Sequence, residues 1–169
     1  MLIGILASAV LCGLYAYGGW GWLLGFVALT PWLRTLQTTP TLGKTLLNAY
    51  LMTVAYSLAV FAWFGSAIGA YTQVGEGTGL LALTLGAPLF QPQILAFALA
   101  RHLTARRHGP VLQALAAVAA WVATERLAPK LLGDTLGYGL YPSVWMRQAA
   151  EVMGSAGLTA LLLLCNEGL

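Results

Sequence analysis

Residues 46–70 read LLNAYLMTVAYSLAVFAWFGSAIGA, 25 positions without one charged side chain. At ~1.5 Å of rise per residue such a stretch, once helical, outreaches a hydrocarbon layer of ~30 Å. The rest of the chain shares its character. Of 169 residues, 59% are hydrophobic and only eight Lys/Arg and five Asp/Glu are present, with a mean hydropathy of +0.79. So few charges cannot cover a water-soluble globule. Lipid is therefore the solvent for most side chains, and the backbone must be helical, because each N–H and C=O has to be satisfied within its own segment.

Working outward from 46–70, the expected fold is all-α, a polytopic transmembrane bundle of about six helices in a single domain, 1–169. The other candidate spans are 1–17, 20–36, 80–100, 111–128 and 149–165. Gly18-Gly19 separates the first two, and Pro31 interrupts the second, which is short for a bilayer. Pro88 and Pro92 should bend or break 80–100, whereas Pro110 is well placed to start the next helix. The N-terminus lacks the basic region and cleavage site of a secretory signal, so residues 1–17 read as a retained helix.

The charges give an orientation. Arg34 and Lys44 fall between the second and third spans, and Arg101, Arg106 and Arg107 between the fourth and fifth, with no acid beside them. Glu76 stands alone between the third and fourth, while Arg126, Lys130 and Arg147 are balanced by Glu125, Asp134 and Glu151. Basic connections stay cytoplasmic, which puts the N-terminus inside and the 125–151 region on the far side. The net charge of +3 and pI near 9.1 accordingly mark topology and lipid head-group contact rather than a nucleic-acid partner.

Few residues could carry chemistry. Trp121 and Glu125 share one face of the fifth span near its outer end. They fit either an interfacial anchor, with Glu125 paired to Arg126 or Lys130, or the polar wall of a lipid-facing cavity. The segment 133–142, GDTLGYGLYP, is too rich in glycine for a helix and too aromatic for a plain loop. Tyr138 and Tyr141 then line a pocket or join an aromatic belt. Gly65-x-x-x-Gly69 reads as a helix-packing face, with Gly154-x-x-Gly157 in a similar role. The run 75–79, GEGTG, lacks the Lys-Ser/Thr of a phosphate loop and reads as an external turn. His102 and His108 have no further ligands in sequence for a metal, and no cofactor is expected. Cys12 and Cys165 lie in apolar segments. Cys165-Asn166-Glu167 has no base to activate a thiol, so no catalytic residue is assigned.

The order of these motifs resembles a known family. The run 19–33, GWGWLLGFVALTPWL, resembles the first block of bacterial apolipoprotein N-acyltransferases, and 61–65, FAWFG, falls where that family has an aromatic–Gly element. Trp121-Val122-Ala123-Thr124-Glu125 resembles its Trp-x-x-x-Glu helix, Leu136-Gly137-Tyr138 its following loop, and 148–159 with Asn166 its next helix. The resemblance implies an enzyme of the bacterial inner membrane that moves an acyl chain from a phospholipid to the lipidated N-terminal Cys of a lipoprotein. It further implies a Glu-Lys-Cys set on a nitrilase-like domain outside these 169 residues, supplied by a separate chain if the enzyme is split, so that the chain alone does not turn over. The chain departs from the family pattern at Gly133-Asp134-Thr135, where Phe-Pro-Trp is common, and at Ala128, where an Arg is expected.

On this reading Trp63, Trp121, Glu125, Arg126, Gly137 and Tyr138 border a cavity for lipid or substrate, walled by the third and fifth spans and 133–142. Two other functions compete with it. A small transporter or permease component is suggested by the twice Pro-interrupted fourth span, and a non-catalytic scaffold by the glycine faces.

Overall fold

The computed structural model describes residues 1–105, 108–129 and 133–169. Every regular element there is helical. Leu2–Tyr17 forms α1, and Gly18 and Gly19, both at positive φ, turn the chain into a 3-10 stretch, Gly19–Phe26. Helix α2, Thr30–Gln37, follows after a short break. The expected 20–36 span is thus not one helix. Pro31 does not interrupt it either: it lies in the first turn of α2, where a missing N–H has no helical partner to lose.

Helix α3, Leu42–Tyr71, has 30 residues and starts where the Thr41 hydroxyl accepts the Lys44 N–H at 3.4 Å. The segment expected as 80–100 is two helices, α4 (Glu76–Phe90) and α5 (Pro92–Ala105), bent by 45°. Pro88 is accommodated inside α4. The break falls at Gln91, the residue before Pro92, whose α conformation the proline ring disfavours. Helix α6, Pro110–Leu127, begins at its proline. A 3-10 turn at Leu136–Leu140 precedes α7, Val144–Glu167, which Ser143 caps and which kinks at Gly154. Among the described residues α3 and α7 are long and apolar enough to cross a membrane alone, and the bent pair α4–α5 makes a third crossing if counted as one.

Helix α3 is the axis of the bundle, packing against α1, α4 and α5, while α6 joins α5 to α7. Its contact with α4 uses the expected glycine face: a Cβ on Gly79 would strike the Gly65 carbonyl oxygen, and one on Gly69 the backbone of Gly75. Gly154 and Gly157 do otherwise. Gly154 makes the kink, and Gly157 faces Met153 of its own helix. The bundle has two unlike ends. The ends of α2, α5 and α7 and the starts of α3 and α6 meet at one, near Lys44, Arg101 and Met1. At the other, exposed Tyr17, Trp20, Tyr71, Tyr138, Tyr141 and Trp145 gather around the 3-10 turn and the neighbouring chain reversals.

Candidate functional site

The site builds up from Glu125. Four residues back on α6, Trp121 donates its indole N–H to Glu125 Oε1 at 2.9 Å, and the backbone N–H of Leu136 reaches the same oxygen at 3.3 Å. Trp121 is only 1% exposed, so it is no interfacial anchor. Its ring stands edge-on to Phe97 at 5.7 Å, and Phe97 in turn packs on Trp32. The carboxylate therefore ties the inner aromatic core to the segment that follows α6. Arg126 turns to the exposed side, where its guanidinium lies beside the Gly154 kink. Lys130, the other partner considered for Glu125, is outside the described residues.

The segment 133–142 is held from four sides. Tyr15 of α1 donates its hydroxyl to the Leu136 carbonyl at 2.5 Å. Thr159 of α7 accepts the Gly137 N–H at 3.0 Å and bonds the Thr135 hydroxyl at 3.0 Å. Gln91, at the break between α4 and α5, donates to Asp134 Oδ2 at 3.1 Å, and Gln93 donates to Gln91 in turn. Gly137 has to be glycine: a Cβ there would come 2.5 Å from the Ser155 carbonyl oxygen. Irregular backbone persists at such a place only when the surrounding protein satisfies it.

A cavity lies on each side of this segment. One of ≈ 290 Å³ is lined by Tyr15, Tyr56 and Trp63 on α1 and α3 and by Asp134 and Tyr138. The other, ≈ 590 Å³, separates Gly137–Tyr141 from Met146, Arg147, Ala150 and Leu158 of α7. Tyr138 borders both. At the second, the Arg147 guanidinium sits over the Tyr141 ring, 5.1 Å from its centre.

Of the residues expected to border a single cavity, Trp63, Gly137 and Tyr138 line these two. Trp121 and Glu125 lie behind the segment and fix it instead, and Arg126 borders neither. The walls are correspondingly α1 and α3 for one cavity and α7 for the other, with α6 acting through Glu125. Gln91 and Gln93 were missed from sequence, although two amides flanking Pro92 in an apolar stretch are a visible signal.

Neither thiol is placed for chemistry here. Cys12 is fully buried, and Cys165 lies one turn from the opposite end of α7. Among the described residues no three His, Cys, Asp or Glu side chains converge as metal ligands would.

An all-helical bundle with membrane-crossing helices, folded around a docked irregular segment with a cavity on either side, defines an α-helical membrane protein. The model of one family, the apolipoprotein N-acyltransferase N-terminal domain, matches residues 6–167, and the chain belongs to that family. It is thus a membrane domain of the apolipoprotein N-acyltransferase type. No curated protein and no solved structure matches the chain.

Proposed function

We propose that this domain holds the lipid chains of an acyl transfer from a phospholipid to the α-amino group of a lipoprotein's lipidated N-terminal Cys. In that reaction the donor ester breaks, an amide forms and a lysophospholipid leaves. The observation that carries the reading is the docked 133–142 segment with cavities on both sides, Tyr138 between them, in a chain of this family. Acyl transfer needs an activated nucleophile and a base, and the placement of Cys12 and Cys165 favours a Glu-Lys-Cys set on a nitrilase-like domain beyond these residues, joined to this chain or separate from it.

The setting proposed is the bacterial inner membrane, crossed several times, with the N-terminus in the cytoplasm. Lys44, Arg101 and Met1 at one end support this orientation. The cavities then open on the extracytoplasmic side.

The test is reconstitution of the chain with a nitrilase-like domain in phospholipid vesicles, followed by mass spectrometry of a diacylglyceryl-cysteinyl peptide. Acylation that needs both parts supports the proposal. No acylation with both parts folded overturns it. The break at Gln91 favours transport as a second reading, but its side chain is fully buried and bonded to Asp134. Solute flux abolished by replacing Pro88 and Pro92 would establish that reading instead.

A further inference from the structure

A third cavity lies at the other end of the bundle, away from the docked segment. It has ≈ 420 Å³ between α2, α3, α5, α6 and the end of α7, within the ~300–1,000 Å³ range of small-molecule sites. Unlike its surroundings it is polar, with Gln37, Thr45, Arg101, His102, Gln113 and Glu167 in its wall.

Its floor is an ion pair. Arg101 Nε and Nη2 meet the two Glu167 carboxylate oxygens at 2.7 and 3.1 Å, and the two side chains are only 8% and 7% exposed. Sealing such a pair in a dry interior is costly, and a polar cavity beside it relieves that cost. The bidentate contact neutralises both charges and leaves the Arg101 Nη1 donor outside the pair. His102 uses Nδ1 on Thr45 and Gln113 uses its amide on the Arg101 carbonyl, leaving the imidazole Nε2 and the Gln113 side-chain oxygen outside those bonds. Arg34 and Lys44 belong to the adjoining α2–α3 region, and Arg106 and Arg107 follow α5 in sequence. The pair itself carries no net charge, so Arg34 and Lys44 set the sign at this end, and a positive field draws anions.

We infer that this cavity binds a phosphate-bearing anionic head group, contributed by a phospholipid of the leaflet at the basic end. Basic pockets between membrane helices take such head groups. The site is remote from the two cavities of the acyl-transfer reading and does not depend on it.

The experiment measures binding of phosphatidylglycerol and phosphatidylcholine to the full chain in detergent by native mass spectrometry, with inorganic phosphate as competitor. The probe variant is Arg101→Gln with Glu167→Gln, which leaves the net charge unchanged, so diffuse attraction is not altered. Phosphatidylglycerol should bind about fivefold better than phosphatidylcholine to the native chain and no better to the variant. A preference that survives in the variant overturns the inference. Inorganic phosphate that displaces the lipid at millimolar concentration overturns the lipid source and makes the ligand a free anion. If the double variant does not fold, Gln113→Glu keeps the ion pair and sets a carboxylate in the wall. Loss of the preference then supports the site, and its persistence overturns it.

Discussion

The side-chain oxygen of Asn166 accepts the backbone N–H of Leu29 at 2.7 Å, joining residues 137 positions apart. The same oxygen takes the Thr30 N–H at 3.0 Å, while the amide nitrogen donates to the carbonyls of Gly25 and Leu162 at 2.8 Å each. Asn166 is 1% exposed. The chain breaks between the 3-10 stretch and α2, and a break buried in the protein has no water to satisfy its backbone. One amide from the end of α7 does so instead, closing the last helix onto the first part of the fold.

Asn166→Leu should consequently be among the most damaging single changes. It leaves the Leu29 N–H and the Gly25 carbonyl without this partner, at about 1–3 kcal/mol for each buried group, while the Thr30 N–H keeps its bond to the Val27 carbonyl at 3.1 Å. Asn166→Asp keeps the acceptor but sets a second acceptor oxygen against the Gly25 and Leu162 carbonyls and buries a carboxylate, so it should destabilise at least as much. Thermal unfolding of the two variants in detergent gives the order, and a leucine variant as stable as the native chain refutes this role for Asn166.

Much of the architecture is legible in the residues. The uncharged run 46–70 lies within α3, and Pro92 and Pro110 mark where α5 and α6 begin. The 133–142 segment reads as irregular because of its glycines, and Gly65 and Gly69 as a packing face. The second span was misread because a 3-10 stretch and a short helix carry the same apolar content as one continuous helix. Hydropathy likewise places Trp121 near an end of α6 but does not tell an interfacial indole from a buried one. Arg101 read as a loop charge because its partner, Glu167, is 66 residues away. Pairings at that separation come from the way α6 brings the ends of α5 and α7 together, and no local pattern announces them.

Glu125 provides a second test, since one carboxylate oxygen serves both Trp121 and the Leu136 N–H. Glu125→Gln retains an oxygen in that place and should keep the segment docked. Glu125→Ala removes it, and a lost bond to a charged group is worth about 1.5–3 kcal/mol. Amide hydrogen exchange over 135–140 should then accelerate in the alanine variant and stay near native in the glutamine one. Equal protection in all three proteins would show that the carboxylate does not hold the segment.

Two glycines of α4 make an internal control for its packing on α3. Gly79 is buried, and an added Cβ would collide with backbone atoms of Gly65 and Gly69, which cannot move aside as a side chain can. Gly79→Ala should therefore destabilise by about 1–3 kcal/mol. Gly77 is exposed with nothing within 4 Å of an added Cβ, so Gly77→Ala should be neutral or stabilise by up to about 1 kcal/mol. Thermal midpoints of the pair decide the matter, and equal effects would mean that α3 and α4 are not in close backbone contact.

Gly154 links backbone geometry to the larger cavity. Its φ of 66° and ψ of −179° lie in a region that glycine alone readily occupies, other residues costing about 1–3 kcal/mol there. Space is not the obstacle, because the nearest atom to an added Cβ is Arg126 Nη2 at 3.8 Å. Any effect of Gly154→Ala must then come from the backbone, which relieves the strain by moving toward a regular helix. Straightening swings residues 144–153 relative to the 3-10 turn and separates Arg147 from Tyr141, the contact beside the ≈ 590 Å³ cavity. Spin labels on the exposed positions Gln148 and Leu127 should report a changed distance distribution in the alanine variant. An unchanged distribution together with unchanged stability would mean that the kink does not set the position of this arm.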